Sequence, residues 1–191
     1  MKIYFDLDGV LTLNKSGGGQ ICENLAKLSG LGLDKVTEGY NIYSSDLYLG
    51  KVMFKDVWDD LGKSLGVDLD YGKLDEVLGN TPLNNEVMAI ALSLKEKGHE
   101  LGIITDNPLE RAHFLIKEFG LKGIFDPIII SSEVHCMKTE AEMFSSVPKG
   151  SIFIDNTERN LAIPESLGIK TIFFENVEGL KMKLKEYQVD V

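Results

Sequence analysis

Apolar and polar positions follow two rhythms along this chain. Five short runs, at residues 3–7, 101–105, 127–131, 151–155 and 170–174, are nearly continuous in aliphatic and Phe side chains. Runs of this length and continuity predict strands of a parallel sheet covered on both faces. Between most of them the apolar residues recur at helical spacing. One such segment opens at Asn84-Asn85-Glu86, passes Met88, Leu92 and Leu94, and stops at Gly98. Another opens at Asn107-Pro108, passes His113, Leu115 and Ile116, and stops at Gly120, with Asn107 read as its cap. Strands alternating with helices predict an α/β open sheet.

Residues 16–80 break that alternation. Where a crossover helix is due, the chain writes Lys15-Ser16-Gly17-Gly18-Gly19, which reads as a flexible joint. Helical patterns follow at residues 20–28, 45–49, 54–65 and 73–78, punctuated by Gly30, Gly32, Gly50 and Gly66. Asn80-Thr81-Pro82 then discourages further helix. The division predicted is a catalytic core of residues 1–15 and 81–191, with a small helical cap of residues 16–80 hinged at both ends. Tyr40, Tyr43, Tyr48, Phe54 and Trp58 read as the small core of that cap, because short helices need aromatics to bury area.

Composition narrows the function classes. The chain has 191 residues, 43% of them hydrophobic and 26% charged, enough for one domain with an insertion. A net charge of −10 without a basic cluster argues against a nucleic-acid surface. No apolar run approaches the roughly 18 residues of a membrane span, so a cytoplasmic protein without a membrane partner is expected. Cys22 and Cys136 lie far apart and read as free thiols of a reducing compartment.

The candidate chemistry sits at strand ends. Asp6 and Asp8 close the first run, Thr105, Asp106 and Asn107 the second, and Asp155 and Asn156 the fourth; Lys138 lies in the loop after the third. Ligands of open α/β sheets bind outside the carboxyl ends of strands, so these groups are expected to converge. Converging carboxylates repel, and a hard divalent cation relieves them; Mg2+ prefers one or two carboxylates plus waters and phosphate oxygens. Asp6 and Asp155 are the predicted ligands, with the backbone oxygen near Asp8 as a third. Lys138 and Thr105 would donate to phosphoryl oxygens. Asp6 is then the nucleophile and Asp8 the acid that protonates the leaving group, kept protonated by the neighbouring charge. Asp106, Asn107 and Asn156 are expected near the substrate or the metal's water shell.

These residues resemble the haloacid dehalogenase-like (HAD-like) hydrolases, and the resemblance runs along essentially the whole chain. The family's first motif, Asp-x-Asp-Gly, is matched by Asp6-Leu7-Asp8-Gly9-Val10-Leu11-Thr12; its second by Gly102-Ile103-Ile104-Thr105. The third, a lysine after Ser-x-Glu-Val, is similar to Ser131 through Lys138, and the fourth to Phe153-Ile154-Asp155-Asn156 with Asn160 and Gly168 beyond. The resemblance implies a Rossmann-like core with the first and fourth strands adjacent, Mg2+, and phosphoryl transfer through Asp6. The family's dehalogenases lack the second aspartate, so Asp8 implies a phosphatase or phosphomutase. Three departures stand out. Asn156 replaces a second acid, predicting weaker or altered metal binding. Thr139 and Ala141 replace prolines, predicting a less stiff loop around Lys138. The segment 145–150 is too short for a full crossover helix, predicting an exposed sheet face or a partner contact there.

The expected activity is Mg2+-dependent hydrolysis of a small phosphorylated metabolite through an aspartyl-phosphate. The alternatives are a sugar-phosphate mutase of the same superfamily, and a catalytically weak phosphate-binding or receiver-like module. Neither the substrate nor the oligomeric state is written in the sequence.

Overall fold

The computed structural model describes residues 1–190. Five parallel strands form one sheet, in the order β3-β2-β1-β4-β5. They are β1 (Lys2–Phe5), β2 (Glu100–Thr105), β3 (Ile128–Ile130), β4 (Ile152–Asp155) and β5 (Lys170–Phe173). Each falls within a residue or two of a predicted run. β1 lies between β2 and β4, where the order reverses, so Asp6 leaves the sheet at the switch point between the ends of β2 and β4.

Among the described residues nine α-helices flank the strands: α1 (Gly17–Ser29), α2 (Leu33–Tyr48), α3 (Phe54–Leu65), α4 (Leu74–Leu78), α5 (Asn85–Glu96), α6 (Leu109–Glu118), α7 (Ser131–Val134), α8 (Ala162–Ser166) and α9 (Val177–Glu186). No helix among the described residues is long and apolar enough to cross a membrane. One apolar cluster joins Ile3, Phe5, Ile103, Ile152 and Ile154 to α5, α6 and α9. On the opposite face Tyr4, Ile104 and Phe153 meet Met143, Phe144 and Val147. For want of a full crossover helix, an exposed sheet face or a partner contact was expected there. The face is instead covered by the irregular segment after Lys138, whose Phe144 packs edge-on against Phe153 at 5.5 Å between ring centres.

The helices α1–α4 gather around a third cluster of their own, built on Ile21, Leu25, Tyr40, Phe54, Trp58, Leu61 and Leu65. Tyr40, Phe54 and Trp58 are buried there, whereas Tyr43 and Tyr48 are only partly covered. The chain leaves and re-enters the sheet side by side: Leu13 N–H donates to Pro82 O at 2.9 Å and Asn84 N–H to Leu11 O at 2.8 Å.

Two expectations for this region fail. α2 runs for 16 residues where only residues 45–49 were expected to be helical. Its pattern is obscured by Gly39, which is apolar-facing by necessity: a Cβ there would stand 2.7 Å from Leu65 Cδ2. Gly17, Gly18 and Gly19 are not a flexible joint but the first turn of α1, with Ser16 Oγ accepting from Gly19 N–H at 3.3 Å. What excludes side chains is close packing. A Cβ on Gly17 would lie 2.6 Å from Asp8 Oδ2 and 2.7 Å from Arg111 Nη1.

Candidate active site

Asp6 follows the last residue of β1, and its own N–H still donates to Ile154 O on β4 at 2.8 Å. The chain then turns sharply through Leu7–Leu11, closed by Thr12 N–H on Leu7 O at 2.9 Å. Gly9 makes this turn possible. Its φ of +80° lies in the left-handed region, and a Cβ would come within 2.1 Å of Asn156 Nδ2. The turn places Asp6 and Asp8 on the walls of one cavity of about 280 Å³. Lys138, Asp106, Asn156, Thr157, Asn160 and Arg159 line it from the sheet side; Ser16, Gly17 and Tyr48 line it from the α1–α2 side.

Lys138 is 2% exposed and stands between two acids, with Nζ 2.7 Å from Asp6 Oδ1 and 2.7 Å from Asp155 Oδ2. Its loop is held in place by polar contacts rather than by proline. Lys138 N–H donates to Asp106 Oδ1 at 3.0 Å, and Glu140 Oε2 accepts from Met137 N–H at 2.8 Å. Asp155 is fully buried and fully engaged: beyond Lys138, it accepts from Thr157 N–H at 2.7 Å and from Asn160 Nδ2 at 3.1 and 3.3 Å. Asp6 Oδ1 also accepts from Leu7 N–H at 2.7 Å. No partner claims Asp6 Oδ2 among the described residues, and it is this oxygen that is free for chemistry.

Burial pushes the Asp6 carboxyl up to about 8. Lys138 opposes that shift, the Asp155 charge adds to it, and Asp8 contributes least. The stronger like-charge neighbour of Asp6 is therefore Asp155, not Asp8. Burial acts against the Lys138 ammonium too, but Asp6 and Asp155 outweigh it and raise its value.

Asp8 points elsewhere. Its Oδ1 accepts from Arg111 Nη2 at 2.7 Å; its Oδ2 accepts from Arg111 Nη1 at 2.7 Å and from Asn107 Nδ2 at 2.8 Å. The sequence reading gave Asp8 only Asp6 as a partner and overlooked Arg111. Asn107 does not cap α6, since Pro108 takes that position. Its amide instead ties Asp8 to Thr105, donating to Thr105 Oγ1 at 2.8 Å. Thr105 is thereby buried at the foot of the site. Asn156 bridges to the first hinge, donating to Lys15 O at 3.2 Å. Tyr48 closes the cavity from α2, with a hydroxyl that burial pushes up to about 12 and that stays a neutral donor.

Of the predicted site residues, Asp6, Lys138 and Asp155 form one cluster, and Asp8, Thr105 and Asn107 form another; both border the cavity that Asp106 and Asn156 line. A family model for haloacid dehalogenase-like hydrolases matches residues 3–147.

The chain belongs to this hydrolase family.

Solved structures agree on the HAD fold. A HAD family enzyme of Bacteroides thetaiotaomicron, crystallised with magnesium, superposes with a TM-score of 0.76 at 21% identity, covering 91% of this chain and 92% of that one. A predicted HAD-like family hydrolase from Porphyromonas gingivalis gives 0.75 at 20% identity over 100% and 98% of the two chains. The L-2-haloacid dehalogenase of Xanthobacter autotrophicus gives 0.63 at 15% identity over 97% and 82%. A search of curated proteins finds no match.

Whether this HAD site suits a divalent cation is decided by its donors. Among the described residues, no three His, Cys, Asp or Glu side chains are grouped to hold a metal. Asp155 is saturated as it stands, and the Asp8 side chain is committed to Arg111. The unclaimed oxygen of Asp6 remains, with the half-buried Asp106 carboxylate also on the cavity wall. Hard oxygen donors beside an open cavity fit Mg2+, which keeps most of its waters and needs only one or two carboxylates.

Proposed function

We propose that the protein is a Mg2+-dependent phosphatase that hydrolyses a small phosphorylated metabolite through an aspartyl-phosphate on Asp6. One observation carries this reading: the unclaimed Asp6 oxygen opens into a small cavity flanked by the Lys138 cation on one side and the Asp8 carboxyl on the other.

Asp6 Oδ2 attacks phosphorus while the bond to the substrate's oxygen breaks and its electron pair goes to that oxygen. Asp8 supplies the proton that the departing alkoxide needs. Water then attacks the phosphoryl group, gives a proton to Asp8, and returns the Asp6 carboxylate as the second bond to phosphorus breaks. Lys138 holds Asp6 in place through Oδ1 and sets a positive charge beside the phosphoryl oxygens. Mg2+, which Asp6 Oδ2, the Asp106 carboxylate and the Asp8 backbone oxygen would hold, would supply the remaining positive charge. The same charge favours the ionised form of Asp6, which burial otherwise opposes.

A reason for Asp8 lies in the leaving group. A halide departs without a proton, whereas an alkoxide does not, so a residue poised to give one favours phosphate esters over haloacids. The helices α1–α4 contribute Ser16, Gly17 and Tyr48 to the cavity wall and so act as a cap that excludes water and limits substrate size. From α2, Tyr48 is the side chain that lines the cavity.

The test is phosphate release from 4-nitrophenyl phosphate with Mg2+ or with EDTA, for the wild type and Asp6→Asn. Turnover that needs Mg2+ and vanishes in Asp6→Asn is expected. Equal turnover in the two proteins would refute the nucleophile.

A further inference from the structure

Arg111 is 0% exposed on the inner side of α6, and the scheme above gives it no task. A buried guanidinium needs a compensating charge, and its only ion-pair partner among the described residues is Asp8. The contacts are unevenly shared between the two carboxyl oxygens. Oδ2 takes two donors, Arg111 Nη1 at 2.7 Å and Asn107 Nδ2 at 2.8 Å, which uses both of its lone-pair directions. Oδ1 takes one, Arg111 Nη2 at 2.7 Å, which leaves one direction open. The fork is itself fixed from behind: Nη1 also donates to Asn107 Oδ1, and Nη2 reaches Thr81 Oγ1 at 3.4 Å. Asn107 is in turn anchored by its N–H, which donates to Ser131 Oγ at 3.0 Å. Gly17 closes the remaining side, where any Cβ would strike both Asp8 and Arg111.

We propose that Arg111 is a positioning residue for the leaving-group step. Together with Asn107 it saturates Asp8 Oδ2 and fixes the plane of the carboxyl group, so that Oδ1 is the atom that exchanges the proton. The inference rests on the phosphatase reading. As the phosphorus–oxygen bond of the substrate breaks, the departing oxygen takes the proton from Oδ1. When water attacks, its proton returns to the same Oδ1. Arg111 touches neither substrate nor phosphoryl group; it acts by removing the rotation that Asp8 would otherwise have to lose in the transition state.

A structural ion pair and a positioning residue differ in their dependence on the leaving group. A 4-nitrophenolate leaves without help, whereas unsubstituted phenolate gains more from a proton. The measurement is kcat/KM, which reports the first bond cleavage, for 4-nitrophenyl phosphate and phenyl phosphate with Mg2+. The proteins are the wild type, Arg111→Gln, Arg111→Lys, Asp8→Asn and the double variant Arg111→Gln/Asp8→Asn. In Arg111→Gln the phenyl ester is expected to lose about ten-fold more than the nitrophenyl ester, a part of the 10²–10⁴ that general acids supply. Asp8→Asn shifts the ratio further in the same direction, and adding Arg111→Gln to it shifts the ratio no more. Arg111→Lys restores little, because an ammonium cannot reproduce the two-pronged contact.

Equal losses on both esters in Arg111→Gln would overturn the proposal and leave Arg111 a purely structural partner. Should that variant fail to fold, Asn107→Ala leaves the guanidinium in place but removes the second donor to Oδ2, the acceptor behind Nη1 and the tie to Thr105, and it must shift the ratio in the same direction or the proposal falls. A wild type that turns over neither ester overturns the phosphatase reading itself, and the role of Arg111 with it; turnover with an unmoved ratio overturns the role of Arg111 alone.

Discussion

Three consecutive glycines at the start of α1 offer a series in which one substitution, Gly→Ala, should have three different outcomes. None of Gly17, Gly18 and Gly19 has a positive φ, so alanine suits the backbone at each. Where nothing else intervenes, alanine stabilises by about 0.4–1 kcal/mol through the unfolded chain. Gly19 is such a place: its added Cβ would meet only Ser16, at 3.6 Å, an ordinary contact. Gly18→Ala would press on the Tyr48 hydroxyl at 3.0 Å, a side-chain end that can shift slightly, so the two effects nearly cancel. Gly17→Ala would strike Asp8 Oδ2 at 2.6 Å and Arg111 Nη1 at 2.7 Å, and neither can yield without breaking the buried pair. Overpacking of this kind costs about 1–3 kcal/mol, leaving a net loss of about 1–2 kcal/mol after the gain. Thermal unfolding should place Gly19→Ala about 1–4 °C above the wild type and Gly17→Ala about 2–8 °C below it, at roughly 2–4 °C per kcal/mol for a chain of this size. Phosphatase activity should fall in Gly17→Ala even at temperatures where the protein is fully folded, since the displaced group is Asp8. Three alanines that behave alike would refute the close approach and restore the flexible joint that the glycine run suggests.

Two other perturbations probe the buried charges and the seam between helices α1–α4 and α6. In metal-free protein, Asp6 binds its proton more tightly folded than unfolded, with a value pushed from 3.8 to about 8, so its contribution to stability declines as pH rises through that window. Asp6→Asn should therefore gain on the wild type in urea unfolding with EDTA as pH goes from about 4 to about 8, and the difference should level off above; a constant difference would mean that Asp6 does not titrate there. Glu110 on α6 accepts from the Phe54 N–H at the start of α3, at 2.7 Å, and so caps a helix of the other unit. Glu110→Ala should cost about 1 kcal/mol in unfolding and speed hydrogen exchange at the Phe54 amide, and unchanged exchange there would remove this contact from the seam.

What the chain reveals about itself follows the range of the interactions involved. The five strands were legible because a strand covered on both faces writes its burial in consecutive residues. The acids Asp6 and Asp155 were legible because each sits at or just beyond a strand end, where topology alone brings groups together, and Lys138 because its loop follows the third strand. The glycines misled because a glycine needed for close approach and one needed for freedom look the same in sequence; only the neighbour, here Asp8 and Arg111, tells them apart. α2 was foreshortened for the same reason, Gly39 being matched to Leu65 rather than to a turn. Arg111 was missed although its signal was present. It occupies the stripe of α6 that also carries Ala112, Leu115 and Ile116, all buried, and a charge in such a stripe requires a partner. Nothing local says which one, because Asp8 is 103 residues away. The same separation explains the error over Asp8. Its nearest acid in sequence is Asp6, but with Oδ2 filled by Arg111 and Asn107 and Oδ1 also held by Arg111, what governs Asp8 in the fold is a cation that arrives through tertiary structure alone.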